Sequence, residues 1–428
     1  MKLKDWDFNL KVRLAGEGLH SILFWMFFPF MAIYFSNVFG KELAGLLLIF
    51  AELIGVVVGL FGGYWADYFG RKRMMVYATA GEAFSFVLFA IANSPWIELP
   101  VLSFVSFAFM GLSGAIYTPA SHAMVADVVP EKDRSAVFAV FYTMINISVV
   151  IGPVLGGIFF FSYRFEFLVF CFLITSILMI VLQKLIRETA PPKKKRAGGQ
   201  DIHWTKSLMS QLSDYKVIST DKTFLLFIVA GILVAQTFMQ LDLVMAVYTT
   251  EFIHEQTLFS LGNWSLTVDG RQTFSWILAE NGFLVALFTL AMTKWMTKYK
   301  ERNVFVISAV LYGVAIILFG HTVSIGFLLI ATALFTAAEL MVVGLQESFV
   351  SRLAPEHMRG QYFAASSLRF TIGRTIAPIS IPMTVWFGFS WTFIILGILA
   401  FLSAGLYYIL FNQYDARQRG KEANTVIS

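Results

Sequence analysis

Apolar runs long enough to cross a bilayer recur along this chain from near its start to near its end, and they leave it little choice of fold. A hydrocarbon core about 30 Å thick takes roughly 20 residues of helix. Lipid offers no water to a bare peptide group, so each span must satisfy its own backbone. By that measure the runs fall at 13–37, 43–66, 74–94, 99–125, 136–160, 165–186, 223–248, 273–295, 303–320, 325–349, 361–384 and 387–411, about twelve membrane helices. Composition agrees: 14% of the residues are charged, against about a quarter in a soluble chain. The net charge of +5 would suggest nucleic acid as a partner of a soluble protein; here the basic residues sit in loops, and no nucleic-acid partner is expected. The first run is too long for the apolar part of a signal peptide and is expected to be retained. The single cysteine, Cys171, excludes an intramolecular disulfide.

The loops set an orientation. Of the 32 lysines and arginines, only Lys41, Arg164 and Arg271 fall in loops on one side, while Arg369 and Arg374 fall inside the eleventh run. The rest, including Lys2, Lys4 and Lys11 ahead of the first run and Arg13 at its start, crowd the other side, which places both termini in the cytoplasm. Two connections are long. The linker 187–222 carries Pro191 to Arg196 and then a piece from Trp204 to Val217 that would lie on the membrane surface. On the opposite side, 249–272 is a polar excursion. The chain therefore reads as a bundle at 1–186, a cytoplasmic linker at 187–222, and a second bundle with a tail at 223–428. A shift of 225 residues supports duplication: Val125 to Arg134, with Pro130 and Glu131, matches Val350 to Arg359, with Pro355 and Glu356, and Gly152-Pro153 falls on Ala377-Pro378. Two pseudo-symmetric six-helix bundles in parallel orientation follow.

Polarity is densest at Gly63-Tyr-Trp-Ala-Asp67-Tyr-Phe-Gly70-Arg71-Lys72-Arg73. Gly70 frees the chain for a sharp reversal, and Asp67 stands where it can pair with the basic residues that open the next helix. The plainer reading is that Arg71 to Arg73 only anchor a helix end. The spacing of Gly63, Asp67, Gly70, Arg71 and Lys72 resembles the signature after the second helix of the major facilitator superfamily. After the eighth run, Lys294 to Arg302 is basic without that glycine and aspartate pattern, so the chemistry of a cytoplasmic gate is expected in the N-terminal half. A second string, Ile151-Gly152-Pro153-Val-Leu-Gly156-Gly157, combines a proline that frees a carbonyl with glycines that admit a close neighbour. Packing alone would account for it, but the string also resembles the antiporter motif of drug:proton exchangers, with Ser148 where a glycine is expected.

A charge at mid-bilayer costs about 3 kcal/mol on insertion scales, so ionisable residues there are candidates for function. Glu17, Glu52, Glu82, Asp242, Glu280 and Glu339 outnumber Arg369 and Arg374. The surplus acids must be protonated, partnered or open to a water-filled cavity. A site that takes either a proton or a cation couples the two flows. Along its whole length the chain resembles the twelve-helix drug:proton antiporters of the superfamily, the lactococcal multidrug facilitator and its bacterial relatives. That resemblance implies that Asp242 and Glu339 handle protons and cations. It also exposes departures: Phe141 stands where those relatives carry a carboxylate, and Phe107 where the superfamily carries an arginine, so Glu17, Glu52 or Glu82 would substitute. Glu17 and Glu82 are close enough to the edge to snorkel. Glu280 would pair with Arg374 or line an outer vestibule. Arg374 would neutralise one acid or help set its proton affinity, and Asp127 and Arg134 would brace the gate with Asp67. His20 would be a proton carrier or a hydrogen-bonded core residue.

The expected function is proton-coupled multidrug efflux of lipophilic, cationic compounds by alternating access. The proton gradient is the energy source, without a cofactor or metal, in a monomer of the bacterial plasma membrane that contacts substrate, protons and lipid. The alternative is a dedicated exporter or flippase of one endogenous lipid, siderophore or metabolite. An enzyme is disfavoured: the chain has no Walker loop, no His-Glu-x-x-His and no Gly-x-Ser-x-Gly, and its six histidines are scattered.

Overall fold

The computed structural model describes residues 3–190, 221–261, 264–355 and 358–427. The readings at Pro191 to Arg196, at Trp204 to Val217 and at Glu356 lie outside them. Helix α1 (Phe8–Phe27) starts on Asp7, whose carboxylate accepts the Asn9 N–H at 2.8 Å, a side-chain cap for an otherwise unpaired donor. A 3-10 turn at Phe28–Phe30, with Pro29 in it, leads into α2 (Met31–Phe39). Then come α3 (Lys41–Phe69) and α4 (Arg71–Ala92), separated by Gly70 alone. A short hairpin, β1 (Asn93–Ser94) with β2 (Ile97–Glu98), precedes α5 (Pro100–Val128), α6 (Glu131–Ser162) and α7 (Arg164–Leu185).

After the linker, α8 (Lys222–Phe238) starts on Asp221, whose carboxylate accepts two backbone N–H groups. It unwinds at Met239–Asp242 and resumes as α9 (Val244–Phe252). The polar excursion is partly ordered: β3 (Gln256–Leu261) pairs antiparallel with β4 (Trp264–Val268), with a register shift between Thr257 and Phe259. Asp269 and Gln272 form a capping box at the start of α10 (Gly270–Met296). Next are α11 (Glu301–Phe319), α12 (Ile325–Val342), α13 (Gln346–Leu353), α14 (Arg359–Ser366) and α15 (Leu368–Ile376). A 3-10 turn at Ala377–Ile379 leads into α16 (Ser380–Ile427).

Among the described residues, eleven stretches are long and apolar enough to cross a membrane. Ten correspond one to one with expected runs. The eleventh, Gln361–Ala416, covers the last two and is 56 residues long, about 84 Å if straight. It is not straight: Gly388 has φ +77° inside α16, a conformation side-chain-bearing residues avoid. The expected equivalence of Pro153 and Pro378 also meets a difference. α6 runs unbroken through Pro153, and α5 through Pro119, whereas the chain at Pro378 forms a 3-10 turn between two helices.

The chain divides into two compact units, Met1–Gly40 with Leu47–Met209, and Lys41–Leu46 with Ser210–Ser428. In the first, Ala66, Met74, Met75, Met124, Leu178 and Leu182 pack together, while Trp6, Leu10, Val125 and Phe141 form a second cluster. Cys171 on α7 is fully buried. The core of the second is aromatic: Phe227, Phe305, Phe349, Tyr407 and Phe411 meet ring to ring at 4.8–6.4 Å, each such pair contributing about 1 kcal/mol beyond its buried area. Within this second unit, Lys41 pairs with Glu251 at 2.6 Å and lies over the Phe389 ring.

Candidate functional site

At the α3–α4 junction Gly70 has φ +103°, which ends one helix and opens the next in a single residue. Arg71 is thereby buried as the first residue of α4. It forms an ion pair with Asp67 one turn back, and its Nε lies 3.3 Å from Asp127 Oδ2 on α5. Asp67, Arg71 and Asp127 thus meet in one cluster. Lys72 is half-buried beside it, and Gly63, one turn before Asp67, faces open space. The guanidinium of Arg134 goes to backbone, donating to Ala126 O at 2.7 Å and Val129 O at 3.1 Å, where it closes the last carbonyls of α5. Arg134 thereby holds the end of α5 that carries Asp127. Gly152 and Gly156 face α1: a Cβ on either would strike the backbone of Trp25 or of Met26. The motif's glycines therefore bring two helices into backbone contact. Pro153 is buried between them and Gly157 is half-buried.

Deeper in the first unit Arg13 is paired with Glu17 and His20 with Glu82. Arg13, counted from sequence as a flanking charge, is 1% exposed. Its Nε donates to Glu17 Oε1 at 2.7 Å, its other nitrogens to the Ser121 hydroxyl and carbonyl, and Tyr117 donates to the same Glu17 oxygen. Glu17 is thus held inward rather than snorkelling. Phe141, at the position of the missing carboxylate, lies 5.2 Å under the Arg13 guanidinium, a cation–π contact in place of an ion pair. Phe107 packs on Phe35 and Phe28. His20 Nε2 and Glu82 Oε1 are 2.8 Å apart, joining α1 to α4. Glu52 is half-buried on α3.

The second unit is different. Asp242 ends the unwound turn between α8 and α9, and its Oδ1 is buried without a hydrogen bond among the described residues; Glu280 Oε2 on α10 is the same. Arg374 on α15 lies near enough to Asp242 for its charge to be felt there. Glu339 on α12 accepts from Asn281 Nδ2 at 3.2 Å, which also donates to Thr336 Oγ1 at 2.9 Å. Gln240 Nε2 donates to Gln236 O at 2.9 Å and Ala377 O at 3.2 Å, tying the α8–α9 turn to the Ala377–Ile379 turn, while Gln240 Oε1 is also bare. Carboxylate and amide oxygens are among the ligands a hard cation takes. Among the described residues no three of His, Cys, Asp or Glu converge as a metal cluster.

Two features escaped the sequence. Arg369 is 2% exposed, bonded to Ser366 O and Gln346 Oε1 and seated over Phe227 at 4.5 Å, where Gly231 leaves it room. Glu301, the first residue of α11, pairs with Arg352 on α13. The 225-residue shift lays Arg352 on Asp127, and Glu301 opens its helix as Arg71 opens α4. The second unit therefore carries a counterpart of the Arg71–Asp127 pair with the charges exchanged. A search for glycine and aspartate overlooks such a reversed pair.

The sequence profile described as Major Facilitator Superfamily matches residues 14–268 and 252–426. The chain is 55% identical over 419 residues, 97% of it and 99% of the relative, to a protein of Planococcus maritimus named Na(+), Li(+), K(+)/H(+) antiporter. It is 31% identical over 160 residues, 37% of it and 38% of the relative, to multidrug resistance protein MdtH of Yersinia enterocolitica. A solved POT family transporter in complex with 5-aminolevulinic acid shares the fold, with a TM-score of 0.74 and 16% identity over 94% of this chain and 95% of that one.

Proposed function

This chain belongs to the major facilitator superfamily, and from that premise we propose that it exchanges protons for alkali cations, Na⁺, Li⁺ or K⁺, across a bacterial plasma membrane. The observation that carries the reading is the pair of buried, unbonded carboxylate oxygens at Asp242 and Glu280. A buried carboxylate oxygen that no donor reaches is stabilised by a positive charge that does. A proton and an alkali ion both meet that need and exclude each other, which is the thermodynamic basis of coupled exchange. The relative named as an antiporter of those cations supports the choice of ion.

In this reading the eleventh apolar stretch is two spans broken at Gly388, giving twelve helices with both termini in the cytoplasm. Asp242, Glu280 and Glu339, with Arg374 acting on Asp242, form the exchange region. The Asp67–Arg71–Asp127 cluster is the cytoplasmic gate of the first bundle, Glu301–Arg352 its reversed counterpart, and the α1–α6 glycine contact the surface on which α6 packs. Cations compete at the carboxylates while the bundles alternate access. Efflux of lipophilic cations is a second reading, supported by the likeness to MdtH.

Everted vesicles from cells lacking their own sodium–proton antiporters test this. The vesicles are acidified by respiration and followed with acridine orange, then NaCl, LiCl, KCl or ethidium is added. Dequenching by the three alkali salts that is lost in Asp242→Asn is the expected result. Dequenching by ethidium alone would replace this reading with drug efflux. Asp67→Asn should abolish exchange while leaving cation binding intact, and loss of both would move Asp67 from the gate to the site.

A further inference from the structure

The segment Arg187–Ala190, leaving the end of α7, makes more bonds than a connection needs. Arg187 exchanges two hydrogen bonds with the Asn9 side chain on α1, its N–H to Oδ1 and its carbonyl from Nδ2, both at 3.0 Å. Its guanidinium lies 3.7 Å from Asp7. Held there, the chain turns the Glu188 carboxylate onto the first turn of α4. Glu188 Oε1 accepts the N–H groups of Arg71 at 2.8 Å and Lys72 at 3.3 Å, together with those of Thr189 at 3.0 Å and Ala190 at 3.1 Å. Glu188 Oε2 stands where a Cβ on residue 70 would be. Thr189 Oγ1 donates at 3.0 Å to Asp127 Oδ2, the oxygen that Arg71 Nε also approaches.

We propose that Glu188 and Thr189 are positioning residues of the gate, and that the first turn of the linker is its third element. Arg71 must reach carboxylates on two helices from the first position of its own, where backbone donors lack partners and the turn frays. Gly70 has no side chain to cap them. Glu188 supplies the cap from outside the helix and puts a negative charge at its positive end, fixing the direction in which Arg71 leaves the backbone. Thr189 fixes the Asp127 carboxylate that Arg71 meets. Gly70 is needed twice, for its positive φ and for the space that Glu188 fills.

The role in exchange rests on the reading of the chain as a cation–proton exchanger, so two independent readouts are used on the full-length protein. In hydrogen exchange, amides at residues 71–75 should exchange about tenfold faster in Glu188→Ala, matching a cap worth about 1–2 kcal/mol, and near the wild-type rate in Glu188→Gln, whose amide oxygen still accepts. Unchanged exchange in Glu188→Ala overturns the proposal whatever the protein transports. In reconstituted vesicles Glu188→Ala should lower the maximal rate of Na⁺–proton exchange about tenfold while the half-saturating Na⁺ concentration stays within about twofold. Glu188→Gln and Thr189→Ser should keep most of the rate and Thr189→Val should not. A wild-type rate in Glu188→Ala, or a parallel change in half-saturation, would also overturn it, whereas absence of Na⁺–proton exchange in the wild type would sink the cation reading alone.

Discussion

In the first unit Arg13, Glu17, Tyr117 and Ser121 close on one another and His20 closes on Glu82, so that buried charge arrives already matched. In the second, Asp242 and Glu280 each keep an oxygen bare, at or near helices that unwind at Met239–Asp242 and Ala377–Ile379. The second unit also bonds Glu339 and Arg369 internally, but only there, among the described residues, does a buried carboxylate oxygen lack a donor. For the proposed exchange the difference matters: a matched pair must be broken before it can bind an ion, while an oxygen without a donor needs only the ion.

The sharpest way to break the comparison is to unmatch a pair. Arg13→Ala leaves Glu17 buried against Tyr117 without its cation, and it should destabilise the protein by about 3–5 kcal/mol, read as a fall in melting temperature in detergent. The double variant Arg13→Met/Glu17→Gln should recover most of that loss, and a mild effect of Arg13→Ala would mean that water reaches the site. Asp242→Asn should do the reverse, cutting cation exchange about 100-fold, near 2.7 kcal/mol, with an unchanged melting temperature; a large thermal loss would reveal a structural partner. The two ion pairs with exchanged charges sharpen the likeness between the halves. Glu301→Arg or Arg352→Glu alone should slow exchange about tenfold, and the two together should restore it, since a cycle isolates the pair. If the double variant stays slow, polarity at that place matters beyond pairing. The smallest effect is expected at Gly63, where a Cβ meets nothing within 4 Å: Gly63→Ala should raise helix stability by up to about 1 kcal/mol and leave melting almost unmoved. A loss of exchange there would show that the helix must bend at that position.

Much of this was legible from sequence because it depends on local rules. Apolar length gave the spans, Gly70 the reversal, and the spacing of Asp67 and Arg71 their contact one turn apart. Asp127 could be suspected only from its place beside Pro130. Other features depend on partners distant in the chain. Arg13 looks like a flanking charge until Glu17, Ser121 and Phe141 are folded around it, and Glu188 looks like the start of a linker until it reaches α4. The breaks at Asp242 and Pro378 were hidden for another reason. Pro153 and Pro119 sit in unbroken helices, so proline alone does not decide whether a membrane helix is interrupted; at Pro378 the Gln240 side chain, distant in the chain, adds a bond to the Ala377 carbonyl.

The burial of Cys171 has a practical consequence. The chain reaches the spectroscopist almost silent towards thiol reagents, since its single sulfur lies fully enclosed in α7. A cysteine placed at an exposed position such as Tyr68 or Trp391 would carry a spin label or fluorophore against little background, so distances within either unit become measurable without first rebuilding the protein.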